Sequence, residues 1–308
     1  MGLYYRPMHA SGNIHLGITP WDWTGISSGA RLAEQARTAE ALGFDSFWVP
    51  ESHFSGQRSV PAPLLLLAAA AAVTNDIALG CVSYLLPIRN AMLAAEEIAV
   101  LDRLCNGRLI LGLGRGIQPK MFEAFEIRSG DKRKLFAERL AQIRALWHGE
   151  TPIALSPLPL QQPEPRLWAA AIGPKALQQI AELGLPYLAS PLESYDVLAT
   201  NLEAYRAIAG AVKSTTPIMR TVYTVESQAE AERIKTALIE QLSSAGLHRG
   251  QATDETAIVG SITYVSETLT RYKEELGMTH LILRGGLPGV SAADQLASFE
   301  KIRQLQIY

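Results

Sequence analysis

Leu101-Asp-Arg-Leu-Cys-Asn-Gly-Arg-Leu-Ile-Leu-Gly-Leu-Gly-Arg-Gly116 packs a helix end, a strand and a tight turn into one short stretch. Asn106-Gly107 is a helix stop, because both residues tolerate the left-handed backbone that ends a helix. The apolar run 108–114 reads as a buried strand. Gly114-Arg115-Gly116 then leaves the strand as a glycine-dense turn. The same unit recurs on both sides. Upstream, strand-like runs at 15–19, 45–50 and 77–86 alternate with helical runs at 29–42, 62–73 and 91–104. Downstream, the helix 132–147 carries Leu135, Leu140, Ile143 and Leu146 on one face. Strands at 166–172, 186–190, 218–225 and 279–284 then alternate with helices at 174–183, 194–209, 229–244 and 292–305. Eight strand–helix units in strict order predict a parallel sheet, and that number points to closure into a (β/α)₈ barrel. An open doubly wound sheet is the other architecture that alternation permits.

Two stretches break the rhythm. Residues 151–165 hold five prolines and read as an extended loop. Residues 246–276 form an insertion before the last strand, with a helix expected over 266–276, capped by Ser266 and stopped by Gly277. No linker divides the chain, so a single domain over 1–308 is expected. The 308 residues are 48% hydrophobic with a net charge of −2. Such a balance supports a large core and offers no basic face to nucleic acid. Two widely spaced cysteines, Cys81 and Cys105, argue against a disulfide framework and fit a reducing cytoplasm. His9, Ser11, Asn13 and His15 interrupt any signal-like apolar core at the N-terminus. The apolar run 61–73 is too short to span a bilayer and reads as a helix. Its alanine- and leucine-rich surface is oddly apolar for an outer helix of a barrel and suggests a homodimer contact.

In such a barrel, chemistry gathers at the C-terminal ends of the strands. Glu51, Ser52 and His53 follow the second strand, and the imidazole suits acid or base work near neutral pH. A metal site would need further ligands that the neighbourhood does not supply, so no metal is expected. Arg115 can fork onto a phosphate where glycines let the backbone approach. The spacing there does not match a dinucleotide fingerprint. At Gly173-Pro-Lys175-Ala176 a helix N-terminus presents free N–H groups that suit a phosphate, with Lys175 adding charge or simply facing solvent. Trp21, Trp23, Tyr84 and Leu85 suggest an apolar substrate pocket. Arg220 and Arg284 at the barrel mouth would need anionic partners. Glu96 and Glu97 could supply one or could form an exposed helical face.

The segment Leu42-Gly-Phe-Asp-Ser-Phe-Trp-Val-Pro-Glu-Ser-His-Phe54 resembles the second-strand signature of luciferase-like flavin monooxygenases. The stretch 101–116, followed by Phe122-Glu-Ala-Phe125, resembles the family's fourth-strand signature. Ile258-Val-Gly-Ser261 with His280-Leu-Ile-Leu-Arg284 is similar to its C-terminal region. The resemblance runs from about Ile14 to Leu305. It implies a barrel that binds reduced flavin mononucleotide in its mouth and uses dioxygen on a small apolar organic substrate. The reduced flavin would come from a separate reductase. The resemblance also implies residue roles. Arg115 would contact the flavin phosphate, together with the backbone of Gly173–Ala176. Val82-Ser83 would be a non-prolyl cis peptide beneath the flavin ring. Glu96 would be a carboxylate near the pocket, and His53, with Glu51, would sit in the catalytic signature. The chain departs from true luciferase at Ser52, where the catalytic histidine stands, and at Gly114, where a reactive cysteine stands. Gly173, Lys175 and Ala176 replace the usual serine and threonine. Light emission is therefore not expected. Two other readings stay open: hydride transfer with a deazaflavin coenzyme, and non-catalytic flavin binding.

Overall fold

The computed structural model describes residues 14–210, 215–244 and 256–305. The expectations resting on His9, Ser11 and Asn13, and on residues 246–255 of the insertion, lie outside the described residues.

Nine strands form one parallel sheet: β1 (His15–Ile18), β2 (Ser46–Val49), β3 (Ala78–Leu85), β4 (Leu109–Gly114), β5 (Arg166–Ala170), β6 (Tyr187–Leu188), β7 (Pro217–Thr224), β8 (Ala257–Gly260) and β9 (His280–Leu283). Their order is β6-β5-β4-β3-β2-β1-β9-β7-β8. A parallel bridge from Ala189, just past β6, to Ile218 of β7 closes eight of the strands into a barrel and leaves β8 as an extra strand beside β7. The helices between and after the strands are α1 (Gly29–Ala41), α2 (Pro63–Ala71), α3 (Ala91–Leu104), α4 (Pro119–Ala124), α5 (Lys132–Trp147), α6 (Pro174–Glu182), α7 (Tyr195–Ala209), α8 (Gln228–Ser244), α9 (Ile262–Leu276) and α10 (Ala292–Arg303). None of the described helices is long and apolar enough to cross a membrane.

The barrel is closed as expected, with one correction to the strand count. β8 is a ninth strand, drawn from the insertion, and β9 takes the eighth place in the ring. β7 is shared between them: Pro217–Arg220 pairs with β9, and Thr221–Thr224 with β8. The upper half of β7, α8 and β8 bury a small apolar cluster of their own, including Tyr223, Ile234, Leu238 and Val259. The helix after β8 begins at Ile262, and its cap is Ser261, whose side chain accepts from Tyr264 N–H; Ser266 lies inside the helix. α4 is a further short helix, opened by Pro119 at a position where the missing N–H costs nothing. The loop 151–165 carries no regular element and is tied down by Gln161, which donates from its backbone and its side chain to Asp102.

Side chains alternate across the strands, except where β3 shifts register between Val82 and Tyr84. Outward residues such as Leu79, Leu111 and Leu281 join the helices in the main core. Inward residues Trp48, Ile110, Trp168, Leu188 and Ile282 fill the barrel itself. Trp48 is fully buried, stacks on Trp168 at 5.1 Å and donates to Ser46 Oγ at 2.7 Å. A Cβ on Gly80 would lie 2.1 Å from its ring, so a bare glycine beside the indole is a packing requirement. This plug closes the lower barrel and leaves the upper end as the place where a ligand can enter.

Candidate active site

A cavity of about 500 Å³ opens at the C-terminal ends of β2 to β7, a volume that suits a cofactor with a small substrate. Glu51, His53, Val82, Ser83, Gly114, Arg115, Ala176, Ser190 and Met219 are among the residues that line it.

Glu51 is the best-held group in the wall. Its side chain has no exposed surface. Oε2 accepts from Leu85 N–H at 3.0 Å, and Oε1 meets His53 Nε2 at 2.8 Å. Arg89 completes the set by donating from Nη2 to Oε1. Burial takes water away from a carboxylate, and these contacts replace it. The guanidinium of Arg89 in turn lies 4.5 Å over the Tyr84 ring. His53 is buried, edges onto the Phe125 ring at 5.2 Å and is oriented by Glu51 through Nε2. Ser52, where luciferase carries its histidine, is spent on the loop: its hydroxyl donates to Arg58 C=O at 2.9 Å and accepts from Val60 N–H.

Val82-Ser83 is a cis peptide in the cavity wall. Gly114 faces it, and a Cβ there would fall 2.1 Å from Ser83 Oγ, so only a hydrogen fits. Arg115 lies in the wall with its guanidinium already engaged. It donates to Gln179 Oε1 at 2.9 Å, to Ala170 C=O at 2.9 Å and to Ala176 C=O at 3.3 Å, and it stacks over Phe136. Burial, with help from Arg133, pushes its pKa down to about 10. These bonds clamp the end of β5 to the first turn of α6. Between them Gly173 adopts φ 83° as the N-cap of α6, with nothing within 4 Å of an added Cβ. The approach to the helix N-terminus is therefore open. Lys132 and Arg133 bring positive charge to the same rim.

Other expected residues fall elsewhere. Glu96 is a correction: it is exposed on α3, as is Glu97, because Ala94, Ala95 and Ile98 take the buried positions of that helix. Glu51 is the carboxylate that lines the cavity. Lys175 is exposed on the first turn of α6, and Ala176 lines the cavity. Trp21 and Tyr84 are buried in the main core, and Trp23 packs against it, so among these aromatics and their neighbour only Leu85 reaches the cavity wall. Arg220 points outward from the barrel, donating to Ser190 C=O and to Tyr272 Oη. Arg284 follows β9 at the mouth, and its Nη1 lies 3.4 Å from Thr221 Oγ1. Arg89 and Gln179 were not anticipated. The only signal for Arg89 is a cation just after a strand that ends in Leu-Pro.

Comparison with known proteins adds independent findings. A family model described as luciferase-like monooxygenase matches residues 9–280. Limonene 1,2-monooxygenase of Rhodococcus erythropolis is 32% identical over 145 residues, 46% of this chain and 38% of that protein. The oxygenase component of a flavin-dependent trigonelline monooxygenase from Acinetobacter baylyi is 27% identical over 179 residues, 54% of this chain and 49% of that protein. The matched segments thus span about half or less of the relatives' own length. Among solved structures, the oxygenating constituent of 3,6-diketocamphane monooxygenase from Pseudomonas putida, a type II Baeyer-Villiger enzyme in complex with FMN, superposes with a TM-score of 0.79. It is 20% identical and covers 96% of this chain and 98% of that one.

Proposed function

Because the chain belongs to the luciferase-like monooxygenase family, we propose that it is a flavin-dependent monooxygenase. It uses reduced flavin mononucleotide and dioxygen on a small organic substrate with an apolar body, and a separate reductase supplies the reduced flavin. The observation that carries this reading is the cavity itself. One wall holds a buried Glu51–His53 pair, and the far rim offers an open helix N-terminus with two cations. Such a rim suits a phosphate tail, and the flat surface at Val82-Ser83 and Gly114 suits a ring system.

When bound, the reduced flavin supplies the electrons that activate dioxygen. The protein's residues hold and shield it. The α6 N-terminus, Lys132 and Arg133 attract the phosphate, while Arg115 acts through the shape of the Ala170–Ala176 junction. Val82, Ser83 and Gly114 in the cavity wall would hold the ring system. Glu51, fixed by Arg89 and Leu85 N–H, holds His53 so that Nδ1 can take up or release a proton beside the reacting atoms. Leu85, Met121 and Met219 exclude water. The two buried thiols, Cys81 and Cys105, fit a cytoplasmic enzyme. The apolar outer surface of α2 and α3 fits a homodimer.

Anaerobic titration with oxidised and reduced flavin mononucleotide and with the deazaflavin coenzyme tests the assignment. The expected result is preference for reduced flavin mononucleotide, followed by oxygen-dependent product formation when a flavin reductase is added. Binding of the deazaflavin alone would move the chain to hydride transfer. Tight binding of oxidised flavin without turnover would make it a flavin carrier.

A further inference from the structure

We propose that Arg284 is the anchor for an anionic head group on the substrate, so that the molecule oxidised in this barrel is a carboxylic acid with an apolar body. The inference rests on the monooxygenase reading and names the substrate class for the same mouth.

Strand alternation aims the side chain. Ile282 of β9 faces the barrel axis among Trp48, Ile110 and Trp168, and Arg284, two residues on, points the same way one layer higher. Met219 of β7 faces inward with Ile282 and also lines the cavity. Thr221, two residues beyond Met219, stands on the same face of β7, and it provides the hydroxyl 3.4 Å from Arg284 Nη1. In the ring of eight barrel strands, β9 stands opposite β4. Arg284 thus lies across the mouth from Arg115 and the α6 N-terminus, at the end away from the rim suited to a phosphate.

The charge there is unanswered. Among the described residues no carboxylate pairs with Arg284, although Arg115 and Arg220 each have three protein acceptors. Burial lowers its pKa, and the nearby charge of Arg58 acts in the same direction. A guanidinium in this position is stabilised by a bound anion, and its planar fork matches a carboxylate. A second donor on the adjoining loop is also unanswered. Trp23 Nε1 is buried without a hydrogen-bond partner, against Gly286, where a Cβ would fall 2.2 Å from it.

Isothermal titration of the full chain, with and without flavin mononucleotide, against phenylacetate and hexanoate and their amides tests the proposal. Each acid is expected to bind at least about tenfold more tightly than its amide. Arg284→Met should erase that preference and Arg284→Lys should keep part of it, both with unchanged affinity for flavin mononucleotide over riboflavin. Equal binding of acid and amide to the unaltered chain overturns the proposal, and so does an acid preference that survives in Arg284→Met. Loss of the flavin mononucleotide preference in Arg284→Met would assign the anion to the cofactor's phosphate and overturn it equally. Acid preference without any flavin binding would instead remove the monooxygenase reading and leave the anion site standing.

Discussion

Glu51 shows how a single residue couples the fold to the site. Its carboxylate has given up water entirely and is held by His53, Arg89 and Leu85 N–H. Removing its charge leaves Arg89 facing a neutral group and leaves His53 without its orienting partner. Glu51→Gln is therefore expected to lower turnover by about 100-fold, within the range for a disturbed acid–base group, while flavin affinity stays within a few-fold. Steady-state kinetics beside flavin titration separates the two effects, and unchanged turnover would remove the dyad from the mechanism. Glu51 and His53 were legible in the sequence because they are two residues apart at a strand end. Arg89 was not, because it reaches Glu51 across 38 positions of chain. Ser52 carries a separate lesson: a hydroxyl in a catalytic signature closes its own loop here.

At the scale of elements, periodicity revealed the long helices and the apolar strands, and it failed where an element is too short to show a period. β8 has four residues, and their pairing with the upper half of β7 makes them a strand. The helix that follows is capped by Ser261. Ser261→Ala should cost about 1 kcal/mol, whereas Ser266→Ala, inside the helix, should cost nothing or stabilise by a few tenths, because alanine is the better helix former. Urea unfolding of the two variants checks this, and equal losses would contradict the assigned cap. Glu96 failed for a related reason. The helical repeat turns the pairs Ala94–Ala95 and Ile98–Ala99 to the core and leaves Glu96 and Glu97 between them facing solvent.

For the whole molecule, the lower barrel introduces a dependence on pH. His280 stacks on His15 at 4.7 Å and meets Trp168 edge-on, and its Nε2 has no partner. Burial, reinforced by His15 and Arg166, lowers its pKa from about 6.5 to about 3. The folded state thus favours the neutral ring. Its stabilising contribution is complete above pH 6.5 and falls as pH drops toward 3, because the unfolded chain takes up the proton first. Thermal melts across that range should show a decline that His280→Phe reduces; an identical decline in the variant would place the acid sensitivity elsewhere. The outer surface bears on assembly. Leu65 of α2 is 74% exposed, and Leu93 and Leu104 of α3 are 57% and 58% exposed, on two helices that pack together. Light scattering is expected to report a dimer that Leu65→Glu weakens, and a monomer at working concentration would end that proposal.

What the sequence determined by itself was whatever is local. The strand–helix alternation, the glycine turns and the strand-end position of Glu51 and His53 all follow from backbone preference and hydrophobic period over a few residues. Tertiary structure decided what depends on distant partners. It settled that β9 rather than β8 takes the eighth place in the ring, that Arg115 clamps the α6 junction, that Arg89 pairs with Glu51, and that Arg220 is spent on Ser190 C=O and Tyr272 Oη. Those outcomes depend on strand register and on which polar atoms meet once water is excluded, and neither can be read from residues that are neighbours only in the chain.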